Sequence, residues 1–298
     1  MQIKDLFQNK KPVISFEIFP PKKDYDMNTI HTALEELSEL GPDFISVTYG
    51  AGGEASNSNI ELASLIKNKY KIEVLPHLTC ITAKEKEINS VINSLRENNI
   101  ENILALRGDI PIGLKQKENK YSYAVDLVRE IKKYKEFSIG AAAYPEGHIE
   151  CQDLRVDAIH LKQKADAGAD FLITQLFFDN NLFYEFLNLK HKLSIKIPIS
   201  AGIMPILSKN QIQRMIFMCG VSLPSKIVKI LYKYEDNPSD LRKAGIEYAA
   251  EQVIDLIANG TEGIHIYTMN QSSIARDILK NIQPNRYNGI RLYNEQGT

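Results

Sequence analysis

Glu17 is the side chain in this sequence best placed to move a proton. It stands two residues after Ser15 in a short run of strand-forming residues, so the two side chains share one strand face. If that face points into the fold, the carboxylate loses hydration, its pKa rises, and it can give up a proton near neutral pH. The competing reading is a carboxylate salt-bridged inside the fold. Asp109 follows Arg107 and Gly108, a setting in which aspartate commonly forms turns. His77 and Cys80 offer two metal-ligand types, but zinc needs further ligands at close range, and His148 or His265 would have to supply them from other strands; no metal is expected. A Schiff-base lysine would be expected at a strand end, where only Lys22 and Lys23 stand, beyond two prolines. Asp157, His160 and Lys164 fall at i, i+3 and i+7, so one helix face projects a carboxylate, an imidazole and a cation. That face is either solvated or a clamp for phosphate or ribose.

The elements that must position these groups alternate. Runs of β-branched or aromatic residues at 13–19, 44–49, 73–79, 102–106, 138–144, 171–178, 197–203 and 263–267 read as eight strands. Between them lie helical stripes such as Ile30, Ala33, Leu34 and Leu37; Ile88, Val91, Ile92 and Leu95; and Ile246, Ala249, Ala250, Val253 and Ile257. Thr82 and Glu85 have capping-box spacing before the second stripe, and Asn259-Gly260 supplies a left-handed stop to the third. Alternating strands and helices require parallel pairing with right-handed crossovers, and eight such units close into a TIM (β/α)8 barrel. An open doubly wound sheet would usually carry a G-x-G-x-x-G fingerprint, which is absent from the sequence. The 298 residues suit one barrel of about 250 residues, so residues 1–298 are expected to form a single catalytic domain.

Chemistry in such a barrel gathers just past the strand C-termini. There the sequence places Glu17, Thr48-Tyr49-Gly50-Ala51-Gly52-Gly53, His77, Arg107-Gly108-Asp109, Tyr144 to His148, Gln175, Gly202 with Pro205, and Tyr267 with Asn270 and Gln271. The glycine pair alone marks only a flexible turn. A net charge of -1 excludes a broad basic surface for nucleic acid or acidic membrane, so any anionic ligand must be held locally. Hydrophobic residues at 44% and charged residues at 24% match a protein with a large core. Three widely spaced cysteines suit reduced thiols, and neither a signal peptide nor a membrane-length apolar run is read, so a cytoplasmic location is expected.

Taken together, Ser15-Phe16-Glu17 with Phe19-Pro20-Pro21, Val47-Thr48-Tyr49-Gly50, Pro76-His77-Leu78-Thr79-Cys80, Ala105-Leu106-Arg107-Gly108-Asp109, Ala142-Ala143-Tyr144-Pro145-Glu146 and Ile173-Thr174-Gln175 resemble the bacterial methylenetetrahydrofolate reductases in order and spacing. The resemblance implies a flavoprotein in which NADH or NADPH reduces FAD, which then passes hydride to methylenetetrahydrofolate, yielding methyltetrahydrofolate for methionine synthesis. It further implies an FAD site of Tyr49, Ala51, His77, Arg107, Gly108, Asp109, Ala124, Tyr144, His148, Cys151, Asp157, His160, Gln163 and Lys164. Thr48 and Gln175 would meet the nicotinamide donor; Gln175, Gln211 and Asp109 would meet folate, with Met215, Tyr267 and Gln271 completing the substrate-binding set. Glu17 would be the general acid that protonates the bridging folate nitrogen. Asp109 would hold negative charge near flavin and pterin, disfavouring the anionic reduced flavin.

The pattern departs from the family's best-known bacterial members at four positions: Met215 replaces an aromatic, Gln271 an arginine, His160 an asparagine and Gln163 an arginine. Gln271 removes a cation that could meet the folate tail. Relatives of this kind form homo-oligomers, and a chain of this length is expected to lack the regulatory domain of animal relatives. The rival readings are a flavin-free barrel lyase or aldolase using the same mouth, and a flavin- or folate-binding protein without turnover.

Overall fold

The structure, a computed structural model, describes residues 1–20, 27–48, 55–110 and 120–282, without the side chains of 27–29 and 55–57. Tyr49 and Ala51, expected at the cofactor site, lie outside the described residues, as do Lys22 and Lys23. Eight parallel strands, β1 (Val13–Ile18), β2 (Phe44–Val47), β3 (Glu73–Thr79), β4 (Asn102–Leu106), β5 (Ser138–Ala143), β6 (Phe171–Thr174), β7 (Ile199–Ile203) and β8 (Gly263–Tyr267), form a closed barrel in sequence order. The expected barrel is the observed one, and β1 closes it by pairing with both β2 and β8.

Helix α1 (Ile3–Asn9) precedes the barrel. Helices α2 (Met27–Glu39), α3 (Ala55–Asn68), α4 (Glu85–Glu97), α5 (Ala124–Lys132), α6 (Leu154–Asp166) and α7 (Asn180–Lys192) follow the first six strands in turn. Three helices, α8 (Lys209–Cys219), α9 (Ser225–Lys233) and α10 (Pro238–Ala258), separate β7 from β8, and α11 (Ser272–Asn281) follows β8.

Strand alternation sorts the side chains. On β1, Ile14, Phe16 and Ile18 pack outward into the main core with Leu34 and Leu37 of α2, which leaves Ser15 and Glu17 on the barrel side. Helix α1 plugs the opposite end of the barrel from the site: Ile3 and Phe7 pack with Val13, Phe44, Leu75, Leu104 and Phe171. Its first N–H groups are satisfied by side chains at the starts of β4 and β5, Ile3 N–H donating to Asn102 Oδ1 at 2.7 Å and Lys4 N–H to Ser138 Oγ at 3.2 Å. With that end sealed, a ligand must enter from the strand C-termini.

Several boundaries differ from the sequence reading. β6 stops at Thr174 instead of 178, although Leu176, Phe177 and Phe178 are fully buried. Their hydrophobicity serves packing under α7 to α10 rather than a ladder, and burial alone cannot tell the two apart. β7 starts at Ile199 instead of 197, and β1, β2 and β5 each end one or two residues early. The capping box read at Thr82 and Glu85 is corrected: α4 starts at Glu85, and the Lys84 N–H donates to Glu87 Oε2 at 2.7 Å. The expected stop after α10 holds, with Gly260 left-handed at φ +78° and Thr261 N–H reaching back to the Leu256 carbonyl.

Candidate active site

Glu17 faces the barrel interior. Its neighbours across the register are Ser46 on β2 and Tyr267 on β8, and its Oε2 lies 3.5 Å from His77 Nε2 of β3 and 3.5 Å from His265 Nε2 of β8. Ser46 Oγ also reaches Oε2 at 3.5 Å, and Ser15 Oγ stands 2.8 Å from His265 Nδ1. The Glu17 side chain keeps 19% exposure while His265 has none, so the carboxylate is the wet end of a buried polar chain. Burial pushes His77 down to about 4, outweighing the attraction of Glu17, so His77 is neutral and its approach to Glu17 is not an ion pair. His77 Nε2 is buried without a hydrogen-bond partner among the described residues, and such a group calls for one from a ligand.

The adjoining half of the mouth holds a cavity of about 470 Å³. Nine residues expected at the cofactor site line it: Arg107, Ala124, Tyr144, His148, Cys151, Asp157, His160, Gln163 and Lys164. Ala142 of β5 lines the cavity with its small side chain, while Gly140, lower on the same strand, leaves space for Phe171 in the cluster under α1, where a Cβ would meet that ring at 2.8 Å. The Asp157, His160 and Lys164 face of α6 therefore looks into the cavity, with Asp157 and Lys164 half-buried and His160 exposed at its edge. Lys164 Nζ donates to the Ala142 carbonyl at 2.5 Å and sits 5.7 Å from the Tyr144 ring centre. Burial lowers its pKa to about 8 although Asp157 opposes the change, and burial likewise raises Asp157 although Lys164 opposes it. Desolvation thus outweighs the attraction of the partner at both groups. Tyr144 is pushed up to about 12 by burial and stays a neutral phenol, edge-on to His148 at 4.9 Å between ring centres.

Arg107 forms a bidentate pair with Glu150, at 2.5 and 2.9 Å, and its Nε donates to the Gly108 carbonyl. Gly108 takes φ +83° and lies so close to Thr79 that a Cβ would stand 2.9 Å from that residue's Cβ, so only glycine turns the chain here toward Asp109. Asp109 itself is exposed and within electrostatic reach of Arg107 and Tyr144. His77, Gly108 and Asp109 do not line the cavity with the other nine: His77 stands beside Glu17, and Gly108 and Asp109 directly follow the lining residue Arg107.

The expected substrate residues divide. Met215 and Tyr267 meet in one apolar cluster with Leu176, Phe178 and Met204. The Tyr267 hydroxyl donates to the Thr174 carbonyl, and its ring covers Gly202, where a Cβ would come within 2.9 Å. Gln175 Oε1 accepts from the Leu176 N–H. Gln211 spends both ends of its amide on the β7–α8 loop, accepting from Leu207 N–H and donating to the Pro205 carbonyl. Thr48 closes β2, its carbonyl held by buried Asn59. Gln271 accepts at 3.1 Å from Arg242 of α10, so a guanidinium does stand beside it.

Sequence reasoning missed Ser46, Glu150 and the cavity-lining Tyr123, and considered His265 only as a metal ligand, not as a neighbour of Glu17. His265 was legible in part, since it alternates with Tyr267 on one strand face. Glu150 carries no local signal, because its partner is 43 residues away.

Fold and site define a β/α-barrel whose mouth holds a nucleotide-sized cavity and an inward-facing, half-buried carboxylate. A family model described as methylenetetrahydrofolate reductase matches residues 2–283. Methylenetetrahydrofolate reductase (NADH) 1 of Arabidopsis thaliana is 36% identical over 295 residues, covering 94% of this chain and 50% of that protein. The 5,10-methylenetetrahydrofolate reductase of Salmonella typhimurium is 35% identical over 263 residues, covering 88% of each. The chain belongs to the methylenetetrahydrofolate reductase family. It spans about half the length of the plant relatives and most of the length of the bacterial ones. A Clostridium thermocellum protein described as binding two copies of 5-methyl-5,6,7,8-tetrahydrofolic acid shares the fold, with a TM-score of 0.65 at 16% identity, covering 94% of this chain and 99% of that one. No helix among the described residues is long and apolar enough to cross a membrane.

Proposed function

We propose that this chain, as a single catalytic barrel, reduces methylenetetrahydrofolate to methyltetrahydrofolate, with FAD accepting hydride from NADH or NADPH. The carrying observation is the convergence of nine side chains expected at the cofactor site, His160 and Gln163 among them as departures in residue type, on one cavity beside an inward-facing Glu17. The donor set fits a flavin dinucleotide: Lys164 and Arg107 supply positive charge for a pyrophosphate, Asp157 an acceptor for ribose hydroxyls, and Tyr144 an apolar wall. FAD would hold and pass the hydride; the protein's own residues handle the proton.

Glu17 would give its proton to the bridging nitrogen of the folate, opening the five-membered ring to an iminium that accepts hydride. Glu17 is the solvent-facing end of the buried polar chain and would be recharged from water at the mouth, while His265, held by Ser15, lies behind it as a buried hydrogen-bonding neighbour. Neutral His77 adds no competing cation. Thr48, Gln175, Gln211, Met215, Tyr267 and Gln271 would border the alternating donor and folate. Three free, separated cysteines support a cytoplasmic setting. Exposed Phe217 and Tyr232, each 82% accessible, support a homo-oligomer.

Absorption spectra before and after NADH test the reading. Bound flavin should bleach with NADH and recover its colour on adding methylenetetrahydrofolate. A colourless protein that takes up no FAD would end the proposal.

A further inference from the structure

The flavin-facing cavity carries a second chemistry. Cys151 Sγ, a carboxylate oxygen of Asp157 and an imidazole nitrogen of His160 all lie within 4.8 Å of one another. They combine a soft sulfur, a borderline nitrogen and a hard oxygen, the mixed donor set that borderline divalent metals take. Helix geometry makes the pair: Asp157 and His160 are three residues apart on α6, so both side chains leave one face. Cys151 stands just before the α6 N-cap Asp153, and its thiol spends only a weak contact on the Asp153 carbonyl at 3.4 Å. The cavity's two basic side chains already have protein partners, Arg107 in Glu150 and Lys164 in the Ala142 carbonyl.

We propose that Cys151, Asp157 and His160 form a binding site for a borderline divalent metal such as Zn2+, which excludes the nucleotide cofactor because both need the same cavity wall. The Cys151 thiol releases its proton to solvent as the sulfur–metal bond forms; no oxidation is involved. Drawing the three donors onto an ion at bonds of about 2.0–2.3 Å needs only small side-chain rotations, because Cys151 and Asp157 are half-buried and His160 is exposed. Three protein ligands leave the fourth position to water, and occupation of the cavity wall by the ion makes it an inhibitor of cofactor binding. Metal binding stands apart from the function proposed above; the antagonism with FAD rests on it.

Co2+ titration of the full chain without added FAD is the test, read by the near-ultraviolet thiolate-to-cobalt charge-transfer band and by displacement with Zn2+. A band that saturates, vanishes in Cys151→Ala and weakens at least tenfold in apparent affinity in His160→Asn supports the site, since even outer partners of metal ligands contribute roughly tenfold. His160 is exposed, so that variant keeps the fold; circular dichroism confirms it. No thiolate band, or one unchanged in Cys151→Ala, overturns the site. With FAD added, the Co2+ affinity should fall in proportion to FAD concentration, and unchanged Co2+ binding in protein shown to hold FAD overturns the antagonism. A chain that binds Co2+ through Cys151 yet never takes up FAD sinks the proposed function and leaves the metal site standing.

Discussion

Lys164→Met separates a cofactor clamp from a structural lysine. Burial holds the Lys164 ammonium at about 8 where an ordinary lysine stands at 10.5. That difference corresponds to about 3 kcal/mol, so the charged form is costly in the cofactor-free fold. The folded pKa is the depressed one: between about 8 and 10.5 the unfolded chain binds the proton more tightly, and the cofactor-free protein gains stability from this group as pH rises through that window. A bound pyrophosphate reverses the balance by favouring the ammonium. FAD affinity of the wild-type chain should therefore be flat below about pH 8 and fall by up to tenfold per pH unit above it, with a ceiling of roughly 300-fold, equivalent to about 3 kcal/mol. Lys164→Met should lose about 1.5–3 kcal/mol of FAD binding near pH 7, or roughly ten- to a hundredfold, the worth of one charge-assisted contact. It should also abolish the pH slope. Without FAD, the variant should melt no lower than wild type, because the bond to Ala142 and the Tyr144 contact offset a buried charge that is itself unfavourable. Fluorescence titration of FAD from about pH 6 to about pH 10, with thermal melts of both proteins, reads all three. A slope that survives in Lys164→Met, or a lower melting point with unchanged FAD affinity, would refute the reasoning.

Glu17→Gln should keep flavin reduction by NADH and lose folate reduction, as stopped-flow of the two half-reactions will show; equal loss of both contradicts a general acid. Asp109→Asn should raise the midpoint potential of the bound flavin, measured by dye equilibration, since the exposed carboxylate sits within electrostatic reach of Arg107 and Tyr144 at the cavity rim. Gly245→Ala should destabilise the fold by about 3 kcal/mol and lower the melting temperature by about 6–12 °C, because a Cβ there would stand 1.8 Å from the Ile206 carbonyl oxygen. An unchanged melt would mean that α10 can lift off the β7–α8 loop.

The period of the strand and helix runs was enough to write down the closed barrel. Each run is a local pattern of burial, and eight alternating units leave one way to pair every strand. The α6 face of Asp157, His160 and Lys164 was equally visible, because helix spacing is set by covalent geometry. Whether that face met solvent or a cavity was not, since the answer depends on residues of other elements, Arg107, Ala124, Ala142 and Tyr144, standing opposite it. The end of β6 escaped for a related reason: Leu176 to Phe178 are as hydrophobic as a strand but pack against helices, Phe177 on Phe183 of α7 and Leu176 and Phe178 among residues of α8 to α10, more than thirty residues away. Glu17 could be read as a strand residue with a polar face; its two histidine neighbours, 60 and 248 positions further along, are joined to it by barrel closure alone. Local patterns state which atoms each segment can offer, and the register of a closed sheet states which of those atoms meet.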